Sequence, residues 1–121
     1  MEVKIDTREK FSAITIAEPI LAANMAAELH EYLLTTLQND VKNVVLILKD
    51  IQKIDTAAAE LLVKLQQTFY ENSASFVICE LSTKVQRSLE ENSLLHLMNT
   101  TPTESEAIDI VQMEEIEREL G

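Results

Sequence analysis

The side chains able to carry chemistry are few and scattered. Cys79 is the only cysteine, and it follows Phe76, Val77 and Ile78 in an apolar run. A reactive thiol needs an electropositive, partly exposed setting. An apolar run predicts instead a buried thiol packed as a small hydrophobe, and a lone cysteine excludes an intrachain disulfide. His30 and His96 lie far apart, and neither belongs to a His/Cys/Glu cluster of metal-ligand spacing, so no zinc or iron site is predicted. There is no Gly-x-Ser-x-Gly elbow. The pairs Glu90-Glu91 and Glu114-Glu115 diverge by about 100° around a helix and read as solvated charge, not as an acid-base couple. The four Met, two Tyr and three Phe are spread through helical and strand patterns as packing residues, without a cofactor box. Asp55-Thr56, followed by Ala57-Ala58, is a short polar step before an apolar helical face. Asp and Thr are preferred helix caps, each worth about 1 kcal/mol, and either accounts for a helix starting here.

The elements around these residues follow from periodicity. Val3 and Ile5 alternate with Lys4 and Asp6, and Phe11 to Ala17 forms a second short strand, so an antiparallel hairpin is predicted at one side of a sheet. From Ala22 the period lengthens: Met25, Ala26, Leu29, Leu33 and Leu37 mark one face of a helix. Val44 to Leu48 is a continuous apolar run rich in β-branched residues, as expected for a central strand covered on both faces. Lys49 to Lys53 is a short polar connection, after which Ala58, Leu61, Leu62, Leu65 and Phe69 define a second helical face. Ser75 to Leu81 is another buried strand, and Ser82 or Thr83 caps a third helix that turns Val85 and Leu89 inward. A last edge strand is predicted within Leu97 to Thr101. Thr103-Glu104-Ser105-Glu106 is a capping box that opens a fourth helix carrying Ala107, Ile110 and Val111. Its continuation, residues 113–121, is an acidic helical extension with a frayed end. The order is β-β-α-β-α-β-α-β-α, an α/β fold with a mixed sheet, and no linker or repeat divides residues 1–121.

Composition narrows the function. The chain has 121 residues, 46 % of them hydrophobic, enough for one core, and 10 Lys plus Arg against 21 Asp plus Glu give a formal charge of −11. Such a field repels phosphate backbones and anionic lipid, so neither nucleic acid nor a membrane surface is an expected direct partner. Glycine occurs only at 121, which removes the usual backbone cradle for a nucleotide phosphate. No basic stretch precedes a long apolar run at the start, and no window approaches the ~18 apolar residues of a membrane span, so the expected location is the cytoplasm.

The stretches VVLILKDIQKIDTAAAELLVKL and SFVICELSTKVQRSLEENSLLHLMNTTPTESEAI together resemble the STAS domain of the anti-sigma factor antagonist family. The resemblance covers nearly the whole chain and implies the STAS fold. In that family the second helix opens on an Asp-Ser-Ser-Gly motif whose second serine is phosphorylated by a cognate anti-sigma factor kinase. Here the equivalent residues are Asp55, Thr56, Ala57 and Ala58, so the phosphorylation motif is degenerate: Ala57 has no hydroxyl. Ile47 also replaces an acidic residue common in the family's central strand. Thr56 is the remaining hydroxyl, and a phosphate there would meet the free amides of a helix N-terminus.

The resemblance implies a bacterial, cytoplasmic signalling protein in transcription regulation. It would bind an anti-sigma factor or a serine kinase-like protein through Asp55, Thr56, Ala57 and Ala58 with the neighbouring end of the first helix. Three small residues at 57 to 59 would allow that partner to approach closely. The chain is expected to be no enzyme, to use no cofactor and no metal, and a homodimer is left open. The alternative is a scaffold or accessory STAS subunit of a multiprotein complex or transporter.

Overall fold

The computed structural model describes all 121 residues. Five strands form the main sheet: β1 (Val3–Thr7), β2 (Phe11–Ile16), β4 (Asn43–Ile47), β6 (Phe76–Cys79) and β7 (Thr100–Thr101), in the order β1-β2-β4-β6-β7. The hairpin β1-β2 is antiparallel and places β1 at the edge. Every later pairing in this sheet is parallel, because each return passes through a helix. Those helices are α1 (Ala23–Thr36), α2 (Thr56–Glu71), α3 (Thr83–Glu91) and α4 (Glu104–Leu120), with a 3₁₀ turn at Leu95–Leu97 between α3 and β7. The architecture is the expected one, with one addition. Two-residue strands β3 (Ile20–Leu21) and β5 (Lys53–Ile54) form a separate parallel pair, so the segment read as a plain connection is partly strand.

The central strand β4 is buried along its whole length. Its side chains alternate between two cores. Val44 and Leu46 join Ile14, Ile16, Phe76 and Ile78 beneath α1, α2 and α3. Val45 and Ile47 join Phe11, Ala13, Val77 and Cys79 beneath Ala107 and Val111 of α4. The sheet therefore separates three helices from one. The predicted helical stripes are the buried ones: Ala26, Leu29 and Leu33 in α1, and Ala58, Leu62, Leu65 and Phe69 in α2.

With no glycine before residue 121, the first three helices must stop by other means. Helices α2 and α3 end on the same residues, Glu-Asn-Ser, with Ser73 and Ser93 in the left-handed region at φ 58 and 57. The amide of Ala74 donates to the Phe69 carbonyl and that of Ser73 to Tyr70 (2.9 and 3.2 Å); Leu94 to Leu89 and Ser93 to Glu90 repeat the pattern (2.9 and 3.0 Å). These are Schellman ends, normally built on glycine. The Asn72 and Asn92 amides also donate back to the Thr68 and Ser88 carbonyls.

Helix α4 continues through the acidic segment to Leu120, where the sequence suggested a frayed end. Arg118 explains why. Its guanidinium donates to Asn43 Oδ1 (3.0 Å), Ser75 Oγ (2.8 Å) and Glu115 Oε2 (3.2 Å). Asn43, almost fully buried, in turn accepts from the Ser75 amide and donates to the Lys10 carbonyl and to Glu115. The far end of α4 is thereby tied to the starts of β4 and β6. At the near end the capping box is modified. The Thr103 hydroxyl accepts from the Glu106 amide and donates to the Glu106 carboxylate, while Glu80, itself at φ 61, accepts from the Glu104 amide.

Two outcomes are expected. A left-handed L-residue costs roughly 1–2 kcal/mol, against about 0.5–1 kcal/mol of extra chain entropy for glycine. Ser73→Gly and Ser93→Gly should therefore each raise unfolding free energy by about 0.5–1 kcal/mol in urea titrations, and Ser→Ala should not. The Asn43 hydrogen bond, with Arg118 and Lys10, holds the Glu115 carboxyl below its ordinary range against the opposing effect of burial. Its stabilisation is thus complete above the unfolded value of about 4.3 and lost as pH falls through the lower folded value. Glu115→Gln should be less stable than wild type at neutral pH, with the difference closing below about pH 4.

Candidate functional site

The segment leading to α2 is held from below by backbone pairing. The Gln52 amide donates to the Pro19 carbonyl (2.7 Å), and the Asp55 amide donates to Leu21 (3.0 Å). This brings the start of α2 against the start of α1. Asp55 stands at the N-cap position of α2, but its carboxylate makes no bond to that helix. It accepts instead from the Ala23 amide, the first of α1, at 3.3 Å. The side chain expected to cap its own helix caps the neighbouring one, so a single carboxylate lies at two helix N-termini, where negative charge is favoured.

The exposed part of the stretch is small. Thr56 and Ala57 face solvent, and Asp55 is half-buried. Ala58 and Ala59 are buried in the core against α1, so Ala58 offers nothing to a partner and the three alanines do not form one surface. Their smallness serves helix packing; only Ala57 remains as surface.

Beyond Ala57 an open groove of about 440 Å³ runs along α2, lined by Ala57, Leu61, Val63, Leu94 and Leu97 with Glu60 and Lys64 at its rim. Leu97 is 46 % exposed, a high value for leucine beside an apolar groove. The sequence reading missed Leu94 and Leu97 here. They follow the Asn92-Ser93 helix stop, and the 3₁₀ turn that directs them toward α2 has no periodicity of its own. The turn is fastened to α2 by Gln66, which donates to the Leu97 carbonyl and accepts from the Asn99 amide.

The other chemical candidates lie elsewhere. Cys79 is fully buried under α4. Burial first, then the charges of Glu80 and Glu104, push its thiol up to about 12, so almost no thiolate exists near neutrality. His30 lies on α1 and His96 on the 3₁₀ turn. No group of three or more His, Cys, Asp or Glu side chains is placed to hold a metal ion. No helix is long and apolar enough to cross a membrane.

A buried parallel strand leads through a short loop into α2, one helix lies alone on the far face, and the sequence pattern of the STAS domain matches residues 2–107. This chain belongs to the STAS domain family. Solved STAS structures share its fold at low identity. An anti-sigma-factor antagonist (STAS) domain protein from Planctomyces limnophilus superposes with a TM-score of 0.75 at 16 % identity, covering 91 % of this chain and 97 % of that one. The anti-sigma factor antagonist SpoIIAA in its unphosphorylated form gives 0.71 at 15 %, covering 92 % and 96 %. The murine Solute Carrier 26 family member A9 anion transporter, inward-facing, gives 0.70 at 13 %, covering 89 % of this STAS chain but 18 % of the transporter. No curated protein matches the sequence.

Because Asp55 joins the two helix starts, Asp55→Ala should lower stability by about 1 kcal/mol. It should also speed amide exchange at Ala23. Asp55→Asn keeps an acceptor oxygen and should lose less, which urea titration and exchange measured by NMR together resolve.

Proposed function

We propose that this STAS domain is a protein-binding regulator of the anti-sigma factor antagonist type, not an enzyme, acting in the bacterial cytoplasm. Residues 1–121 act as one unit, with 113–121 as its acidic helical extension. The partner is an anti-sigma factor or serine kinase-like protein. It docks on Asp55, Thr56 and Ala57 at the start of α2 and on the apolar groove that continues from them.

The observation that carries this reading is the exposed Ala57 at the mouth of that groove. A family serine here would take a phosphate, placing charge directly before an apolar surface and opposing docking through desolvation. Alanine removes that control, and the domain stays in its binding state. Thr56, exposed at the first turn of α2, reads more simply as a helix-start residue than as a substitute acceptor.

A second reading rests on the transporter neighbour, whose STAS-like portion is a small part of a large membrane protein: this chain would then serve as an accessory or scaffold subunit. Affinity capture from native cytoplasm with wild type and Ala57→Asp, read by mass spectrometry, separates the two. A kinase-like anti-sigma factor captured by wild type and reduced at least about tenfold with Ala57→Asp is the expected result, a loss equivalent to about 1.4 kcal/mol. Undiminished capture by Ala57→Asp would sink the docking surface. Transporter or other STAS components retained by both proteins would establish the accessory role.

A further inference from the structure

Strand β1 is the open edge of the main sheet. Lys4 to Thr7 are exposed, and Ile5 is 47 % exposed. The direction of its free backbone groups can be read from its ends. Ala17 donates to the Glu2 carbonyl and Arg8 to the Phe11 carbonyl, so with the register Val3 to Ile16 and Thr7 to Ser12 the even-numbered residues bond inward to β2. The amides and carbonyls of Val3, Ile5 and Thr7 therefore point outward, unpaired, as a template for another strand.

The sequence of this edge is self-complementary. From Glu2 to Arg8 the charges alternate in sign on every second residue, Glu2, Lys4, Asp6 and Arg8. We propose that β1 is a self-association surface, on which a second copy of this chain adds its own β1 antiparallel, centred on Ile5, to make one continuous sheet. Only outward-bonding residues can pair, which restricts the register. Centred on Ile5, Val3 faces Thr7 of the second copy and all three outward residues bond. Lys4 then faces Asp6 of the second copy and Glu2 faces its Arg8, giving opposite charges at each of these non-hydrogen-bonded positions, where side chains approach most closely. Shifting by one allowed step sets Lys4 against Lys4 or Asp6 against Asp6.

Charge also explains why the edge suits a second copy. The chain carries −11 overall, yet Glu2 to Arg8 holds two charges of each sign, so the two copies meet through a locally neutral strip. Asp6 already holds Arg8, just past the end of β1, at 2.7 Å, which sets these side chains out along one face. The odd-numbered face adds an Ile5-to-Ile5 contact beside the half-buried Val3, which packs on the larger core. A single strand pair buries less than a standard interface, so the dimer is weak and concentration-dependent. This surface is separate from the groove on α2 and does not rest on the docking proposed there.

Sedimentation equilibrium of the full chain up to about 1 mM, the weak end of measurable affinity, tests this directly. Wild type should dimerise. Lys4→Asp alone and Asp6→Lys alone should each weaken dimerisation by about tenfold or more, since each places like charges opposite one another. An equal mixture of the two variants should regain dimers, because the two carboxylates of the first variant then face the two ammonium groups of the second. Ile5→Pro removes an outward amide and the Ile5 contact while leaving every inward bond to β2, and should be folded and monomeric. A wild type that stays monomeric throughout overturns the proposal, as do dimers that persist in Ile5→Pro or single variants whose mixture fails to associate.

Discussion

The fold depends on one constraint: β4 has no solvent face. A strand with Val44 and Leu46 on one side and Val45 and Ile47 on the other must be covered twice. Alternation then determines which helices lie together. The larger core needs three helices, and the smaller one is closed by α4 using only Ala107 and Val111 as fully buried contacts. So thin a cover gains little from hydrophobic burial alone. Polar attachments supplement it at both ends, Glu80 on the first amide of α4 and Arg118 on Asn43 and Ser75. The buried Asn43 is satisfied by this same cluster, so helix docking and strand pairing support one another, as expected for a buried polar network with no missing partner.

Most of this arrangement was legible from the sequence because long periodic signals dominate it. The apolar run at Val44 to Leu48, the helical stripes and the hairpin alternation survive any detail of packing. What could not be read were interactions whose partner is distant in the chain. The acidic end of α4 looked like a fraying tail, since nothing near Arg118 reveals that Asn43 and Ser75 lie across from it. Asp55 was identifiable as a helix cap, yet not as the cap of α1, because local preference cannot tell which of two adjacent N-termini a carboxylate will reach. Strands β3 and β5 are two residues long, too short for periodicity. The left-handed Ser73, Ser93 and Glu80 escaped because the sequence signal for such positions is glycine, and this chain has none before residue 121.

The site shows the same division. Element order and the Asp55-Thr56 pair point to the start of α2 as a candidate, but the surface exposed there was not readable. A row of three alanines suggested a smooth surface; the helix phase turns Ala58 and Ala59 inward and leaves Ala57 alone outside. The apolar surface is supplied instead by Leu61 on α2 and by Leu94 and Leu97, brought over by a 3₁₀ turn after α3. Leu97 sat within a predicted edge strand, and Leu97 and Thr100 proved to do different things: one opens on the groove, the other pairs with β6.

In the docking proposed above, Ala57 would link the electrostatics of the fold to regulation. A phosphate at the start of α2 would be welcomed by the helix dipole and free amides, and Asp55 already places a carboxylate at that junction. The same phosphate would lie at the entrance to an apolar groove, where a desolvated charge is strongly unfavourable. One modification would thus stabilise the domain and oppose its docking, and those two effects together make a switch. With Ala57 the chain forgoes both. The helix start is left to Asp55 and the backbone, and the groove stays permanently apolar at its mouth. On a domain of charge −11, the partner proposed above would meet an uncharged side chain at residue 57 instead of a phosphate.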